Sequence, residues 1–297
     1  MRTAVVFGAS GQIGMPLLDR LRDAGWRVYA VSRSVRAEQP GLVWLQGDLA
    51  NVPQLPASPH AVISCGPLDL FGRWYARNPI DCERIVAFGS TSIEVKRGSA
   101  DAEERELAAR LREGERALFD TAAGRGHVVT VLRPTLIYGT GRDRNLSRIA
   151  RIAQRFGRVV LPREANGLRQ PVHAHDLADA AFRCLDASIS HGRSYDLPGG
   201  ETLAYREMIA RVLAALEPPA RLHEVPSPLF NIVLAAAHAA GFARDFSEAA
   251  VKRMRSDLVF DAAPAQRDLG FAPRMFRPTA KMFPEASAEP DTADAAE

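Results

Sequence analysis

The sequence predicts an α/β fold, a doubly wound parallel sheet with a smaller, mostly helical C-terminal region. Short apolar runs recur at Ala4–Phe7, Val28–Val31, Leu42–Leu45, Ala61–Ser64, Arg84–Phe88 and Val128–Leu132. Amphipathic stretches separate several of them, the alternation expected of βαβ units. The first run enters a turn with glycines at positions 8, 11 and 14.

Ala4–Phe7 reads as the first strand. Gly8 then makes the tight turn, Gly11 lets backbone N–H groups approach a pyrophosphate, and Gly14 lets helix and strand pack closely. With Ser10, Gln12 and Ile13 between them, the turn is a candidate dinucleotide cradle at a helix N-terminus. Pro16 suits a first helical turn; Ile13, Leu17 and Leu21 form one apolar face, and Gly25 ends the helix. The second strand, Val28–Val31, ends at Ser32 and Arg33, about where an adenosine ribose sits. An NAD-preferring site usually places an acid there for the 2′-hydroxyl. Arg33, with Arg36 close behind, suits a 2′-phosphate, so the expectation is NADP, with NAD as the alternative.

The third strand runs into Gly47, Asp48 and Leu49. Pro53, Pro56 and Pro59 prevent a long helix in the next segment, and the fourth strand ends at Cys65 and Gly66. Ser90, Thr91 and Ser92 crowd hydroxyls behind the fifth strand, on the edge where open parallel sheets bind ligands. A helix is expected over 101–123, with Leu107, Leu111, Gly114 and Leu118 on one face. The sixth strand leads into Arg133-Pro134-Thr135 and on to Tyr138-Gly139. Eight arginines follow between 142 and 169, either a solvated face or a clamp for a diphosphate.

Composition narrows the function. The 297 residues are 46% hydrophobic, as in a globular protein, and 38 basic against 35 acidic residues leave a net charge of only +3. The basic run lacks interleaved aromatics, which argues against a nucleic-acid partner. Three cysteines without metal-ligand spacing fit a reducing compartment, and His173 and His175 have no third ligand nearby, so no metal site is expected. The chain enters a strand at once, leaving no room for a signal peptide, and no run reaches the ~20 apolar residues of a membrane span, so a cytoplasmic protein is expected. Residues 228–243 are apolar but too short to span and read as a buried or lid-forming helix, with an interfacial anchor as the alternative. The expected division is a nucleotide-binding domain over 1–165 that takes back later strands, a substrate-binding region over 166–283, and a tail, 284–297, without apolar period or order.

Together, Gly8-x-x-Gly11-x-x-Gly14, Gly47-Asp48-Leu49, Ser90-Thr91-Ser92, Leu132-Arg133-Pro134-Thr135-Leu136-Ile137-Tyr138-Gly139 and Gln170-Pro171-Val172-His173 with Asp176 resemble the extended and atypical short-chain dehydrogenase/reductases, the superfamily of NAD-dependent epimerases and dehydratases. The resemblance spans about residues 3 to 280. It implies a Rossmann domain in which Gly8 to Gly14, Arg33, Asp48, Leu49, Cys65, Gly66, Ser90 and Arg133 to Thr135 line the dinucleotide. It also implies a small-molecule substrate, commonly a nucleotide sugar, whose diphosphate would meet Arg148 or Arg169. A homodimer is among the compatible assemblies. Similar atypical members include redox sensors and an accessory subunit of respiratory complex I, so a non-catalytic dinucleotide binder is the alternative to an oxidoreductase or epimerase.

In typical members the 101–123 helix carries a Tyr and a Lys four residues apart. Set against the family's Glu-Arg-Ala-Leu ending, Glu115 to Leu118 put those positions on Leu107 and Leu111, which move no protons. The family's strand-end hydroxyl is kept as Ser92, with Thr91 beside it. The candidate catalytic residues are therefore Ser92, Thr91 and Tyr138, with Tyr75 a further source of a proton.

Overall fold

The computed structural model describes residues 1–34, 36–143, 145–239 and 248–284. In chain order the elements are β1 (Thr3–Phe7), α1 (Gly14–Asp23), β2 (Arg27–Ser32), β3 (Leu42–Gln46), β4 (Ala61–Ser64), α2 (Leu68–Arg77), β5 (Arg84–Phe88), α3 (Ser92–Val95) and α4 (Ala102–Arg125). Then come β6 (Val128–Pro134), β7 (Ile137–Tyr138), α5 (Leu146–Phe156), β8 (Arg158–Pro162), β9 (Leu168–Arg169), β10 (Val172–His173), α6 (Ala174–Cys184) and β11 (Arg193–Leu197). The last are β12 (Leu203–Ala204), α7 (Tyr205–Ala214), β13 (Arg221–Val225), α8 (Ser227–Ala239), α9 (Glu248–Arg253) and α10 (Ala263–Leu269). The expected tail lies outside the described residues from 285 onward.

Two compact units interleave along the chain. The first comprises 1–137, 169–202 and 257–276; the second comprises 138–168, 203–256 and, of the described residues, 277–284. The chain thus changes unit after 137, 168, 202, 256 and 276; the sequence places the boundary at 165, with later strands returning to the first domain.

The first unit is built on a seven-stranded sheet in the order β11-β6-β5-β4-β1-β2-β3, parallel throughout. This is the predicted doubly wound fold. Strand order reverses at β1, so the switch point that binds ligands in such sheets falls between the C-terminal ends of β1 and β4. One face packs Leu17 and Leu21 of α1 and Leu177 and Ala181 of α6 on Val28 and Ile63; the other packs Phe71 and Trp74 of α2 and Leu118 of α4 on Phe7 and Val129. Each fully buried large side chain contributes about 1.5–3 kcal/mol.

Helix α2 is missing from the sequence reading, although Leu68, Phe71 and Tyr75 recur at three- and four-residue spacing and are almost wholly buried. It crosses α4 where glycines meet: a Cβ on Gly72 would stand 2.5 Å from Gly114 O, and one on Gly114 2.6 Å from Asp69 Cα. Gly114, counted above as part of an apolar face, is a contact for a neighbouring backbone.

In the second unit β8 and β13 pair in parallel, Arg158 opposite Arg221 through Pro162 opposite Val225. Asp143 caps α5, its Oδ1 accepting from the backbone N–H groups of Asn145, Leu146 and Ser147 and its Oδ2 from the Ser147 hydroxyl. Of the alternatives expected for the helix after Pro228, the buried one is corrected. Of the side chains described in α8, Phe230 is buried, whereas Leu229, Ile232 and Val233 are 46%, 66% and 39% exposed.

Candidate functional site

The glycine turn has the predicted geometry. Gly8 has φ +65°, and a Cβ there would lie 2.9 Å from the Cys65 carbonyl carbon and the Gly66 nitrogen. Gly14 is tighter, its missing Cβ falling 2.4 Å from Gly8 O and 2.5 Å from Ala9 O. At Gly11 the nearest atom is Gly8 O at 3.1 Å, so Gly11 is demanded less by internal packing than its neighbours are. These approaches bring the β1 turn against the end of β4. Ile13 is buried beneath, and among the described residues Gln12 Oε1 and Ser64 Oγ are buried polar atoms without a hydrogen-bond partner. A backbone cradle at a helix start with unpaired polar atoms beside it fits a dinucleotide pyrophosphate.

At the ribose end the Ser32 hydroxyl donates to Ser10 Oγ at 3.2 Å, joining the end of β2 to the turn. Arg33 is exposed and Arg36 lies with its guanidinium 5.1 Å over the Trp44 ring. Asp48 is drawn into its own loop, Oδ1 accepting from the Ala50 and Asn51 N–H groups at 2.8 and 2.7 Å. Leu49 stands 3.5 Å from where a Gly66 Cβ would be, so the 47–49 loop reaches over the end of β4. Burial pushes the Cys65 thiol up to about 12, which keeps it protonated and unreactive there.

The hydroxyls after β5 separate into two kinds. Thr91 is buried; its hydroxyl donates to Pro134 O at 3.2 Å, and its N–H reaches the same carbonyl. Ser90 Oγ accepts the Ser92 N–H at 3.1 Å. Ser92, half-buried at the start of α3, has no hydrogen bond from its own hydroxyl among the described residues. Thr91 commits its proton to the fold; among the described residues Ser90 and Ser92 do not, and of those two Ser92 alone has a hydroxyl oxygen that accepts no hydrogen bond either.

Arg133 belongs to a cluster absent from the sequence reading. It binds Glu115 of α4 through Nε at 3.0 Å and Nη2 at 2.5 Å, and the Ser194 hydroxyl donates to the same carboxylate at 2.6 Å. Asp196, two residues along β11 and in register with Arg133, has its carboxyl raised above the usual range by burial, partly offset by Arg133. Burial works against the Arg133 charge, but the Glu115 hydrogen bond, with Glu115, Asp196 and Glu94 nearby, holds its guanidinium above the ordinary value. Arg133 is thus anchored to the sheet edge, while the Thr135 hydroxyl donates to Gln170 O. Glu115 is four residues past Leu111 and eight past Leu107, on one stripe of α4, a helix with neither Tyr nor Lys. That spacing is the signal by which the cluster could have been found.

Tyr75 is wholly buried and hydrogen-bonded to His127 Nδ1 at 2.7 Å, with Arg125 4.8 Å over its ring, and burial pushes its phenol up to about 12. Close to the helix end that leads to the start of β5, it lies toward the edge opposite the cradle. Tyr138 is fully buried, and both it and the half-buried Arg148 belong to the second unit; Arg169 is buried in the first. Arg151, Arg155, Arg158 and Arg163 are exposed, while Arg144 lies outside the described residues. Asp176 accepts from Arg274 N at 2.9 Å and Nε at 2.8 Å, which fastens the 271–276 segment to α6. His173 is buried and caps α6 by accepting the His175 N–H. Among the described residues no cluster of metal-ligating side chains occurs and no helix is long and apolar enough to cross a membrane.

A doubly wound α/β sheet with a glycine turn at its switch point defines the fold, and the chain is similar in fold to epimerases, among them a Bacillus cereus UDP-glucuronic acid 4-epimerase solved in complex with NAD. No protein-family model matches the chain. A Vibrio cholerae UDP-glucose 4-epimerase is 23% identical over 181 residues, 59% of this chain and 52% of that protein. The chain spans about half the length of the curated relatives it matches. Among solved structures, the epimerase Mth375 of Methanothermobacter thermautotrophicus superposes with a TM-score of 0.70 at 15% identity, covering 95% of this chain and 90% of that one. MoeE5 in complex with UDP-glucuronic acid and NAD gives 0.66 at 19% identity, covering 93% and 95%.

Proposed function

We propose that the protein is an NAD(P)-dependent, epimerase-like oxidoreductase acting on a nucleotide sugar or another small carbonyl or hydroxyl compound. The observation that carries this reading is the cradle formed by Gly8, Gly14 and the end of β4, with Ser92 free-handed on the same sheet edge. The relatives whose names specify a substrate act on or bind UDP-sugars, which supports that class for this chain. When bound, the dinucleotide would supply reversible hydride exchange. The glycine turn would hold its pyrophosphate, Ser32 and Arg33 its ribose, and Leu49 and Gly66 one wall of the adenine end. Ser92 would hold the reacting oxygen by a hydrogen bond. Arg133, tied to Glu115, would keep the β6 end, and with it Pro134 and Thr135, in place beneath the nicotinamide. Arg33 and the neighbouring Arg36 favour NADP over NAD.

Because α4 has neither Tyr nor Lys, the usual proton-transfer pair does not operate in this reading. That feature also favours a second reading, a non-catalytic NADP(H) sensor or accessory subunit. Thermal shift separates the parts, since a ligand selective for the native state raises its melting temperature by mass action. NADP should stabilise more than NAD, and Arg33→Ala should erase the difference; equal shifts in the parent protein would overturn the NADP preference. With NADP present, UDP-sugars should add a further shift and be converted on incubation. Binding of NADP without any response to UDP, GDP or TDP compounds would leave the sensor reading in its place.

A further inference from the structure

The second unit carries a surface that nucleotide chemistry does not use. Helix α8, with the sequence SPLFNIVLAAAHA, contains no Asp, Glu, Lys or Arg. Phe230 turns inward, only 5% exposed, and the helix packs on β8. Leu229, Ile232, Val233 and Ala236 follow the spacing i, i+3, i+4, i+7 on the outer face, with Asn231 at its edge, and all are exposed. Both sides of this helix are apolar although one faces water. An apolar stripe left in water marks a contact surface.

Charge decides what it contacts. Over 138–168, 203–256 and 277–297 the second unit has 16 Lys and Arg against 12 Asp and Glu, a net +4 that is +9 without the five acids of 285–297; the first unit has 22 against 23, a net −1. Arg158 and Arg221, partners at the start of the β8–β13 pair, are both exposed. Arg255 is exposed too, and donates to the Ser227 hydroxyl, at the first residue of α8, at 2.6 Å. Phe156, just before β8, is 46% exposed with the Arg155 guanidinium 5.4 Å from its ring. A second copy of the chain would set this positive charge against itself. A bilayer with anionic headgroups offers negative charge and an apolar layer together.

We propose that α8 lies in the interfacial layer of an anionic lipid bilayer, with Leu229, Ile232 and Val233 at the acyl boundary and arginines of the same unit on lipid phosphates. At 13 residues the helix rests on the membrane and does not span it. The attachment needs no substrate and is independent of the nucleotide reading.

The test is co-sedimentation of the full-length protein with vesicles of phosphatidylcholine, with and without phosphatidylglycerol. Binding should require the anionic lipid and weaken with salt. Leu229→Asp with Ile232→Asp should cut it at least tenfold, and Arg158→Ser with Arg221→Ser about fivefold per arginine removed. These side chains are exposed, so both variants should keep the parent's melting temperature. Equal binding to neutral vesicles, no binding to either, or binding indifferent to the two aspartates would overturn the proposal. A dimer in gel filtration that the aspartates dissociate, with no vesicle binding, would assign the face to a second copy.

Discussion

Two parts of one sheet edge are built in opposite ways. The turn between β1 and α1 is made by seven consecutive residues and held by backbone, with Gly8 and Gly14 leaving room for carbonyl oxygens and for the end of β4. The cluster at the end of β6 is made by side chains from α4, β6 and β11, with Glu115, Arg133 and Ser194 joined by hydrogen bonds. The first is local and steric, the second non-local and electrostatic. Their failures should differ in size, in pH dependence and in what can rescue them.

The largest effect belongs to the turn. Gly14→Val places a side chain against two backbone oxygens that cannot move without displacing β1, and should cost at least ~3 kcal/mol or prevent folding. Gly11→Ala, whose Cβ meets one atom at 3.1 Å, should cost ~1 kcal/mol or less. Urea midpoints of the two variants measure the difference; equal losses would show that the turn is not set by close approach at Gly14.

Glu115→Ala comes next. It strands a half-buried guanidinium and removes the acceptor of the Ser194 hydroxyl, and should cost roughly 2–4 kcal/mol. Glu115→Gln keeps the shape and one acceptor and should recover part of the loss. If both variants match the parent in urea, the cluster is not what holds β6 and β11 to α4. Leu107→Ala and Leu111→Ala should lower stability through lost packing and leave any catalytic pH profile unchanged; a profile that loses a limb would place a functional residue on that stripe.

The same contrast explains what the sequence reveals. Six sheet strands are legible because each is a short apolar run between helix or turn signals. The cradle is legible because a backbone requirement is written directly as glycine. The strand character of β11, Arg-Ser-Tyr-Asp-Leu, is hidden because Ser194 and Asp196 face a polar cluster where an apolar pair would have signalled burial. Glu115 looks like one more surface acid on a charged helix until β6 supplies its partner. Helix α2 is hidden by its brevity and by a glycine at its centre that serves α4. The exposure of α8 was beyond composition, since an apolar helix reads the same whether it faces a core or a contact surface.

His173 tests the first unit away from both regions. Burial, then Arg274 and His175, push its imidazole down to about 4 against an ordinary 6.5, while Asp176 pulls the other way. Between those values the unfolded chain binds the proton that the native one refuses, so stability is full above pH 6.5 and falls as the pH drops toward 4. The loss should be on the order of 2 kcal/mol. His173→Asn retains an acceptor for the His175 N–H but does not titrate, so it should flatten this part of the pH profile of unfolding. A slope unchanged in the variant would assign it to other groups.

The smallest expected effect on stability is the most informative about chemistry. Thr91 and Ser92 are adjacent hydroxyls on the sheet edge, but Thr91 spends its proton on Pro134 O, whereas Ser92 does not spend its own among the described residues. Thr91→Val should therefore cost about 1 kcal/mol of stability, the size of a buried hydrogen bond, and affect turnover only through that loss. Ser92→Ala should stay within ~0.5 kcal/mol of the parent in urea. If Ser92 holds the reacting oxygen, the same substitution should slow conversion of a nucleotide sugar by about 10²-fold, the lower range for losing a group engaged at the reacting centre, with cofactor affinity retained. Slowing by Thr91→Val with Ser92→Ala silent would reverse the assignment. An equal, small effect of both would mean that neither hydroxyl touches the reaction and would move the protein toward the sensor reading.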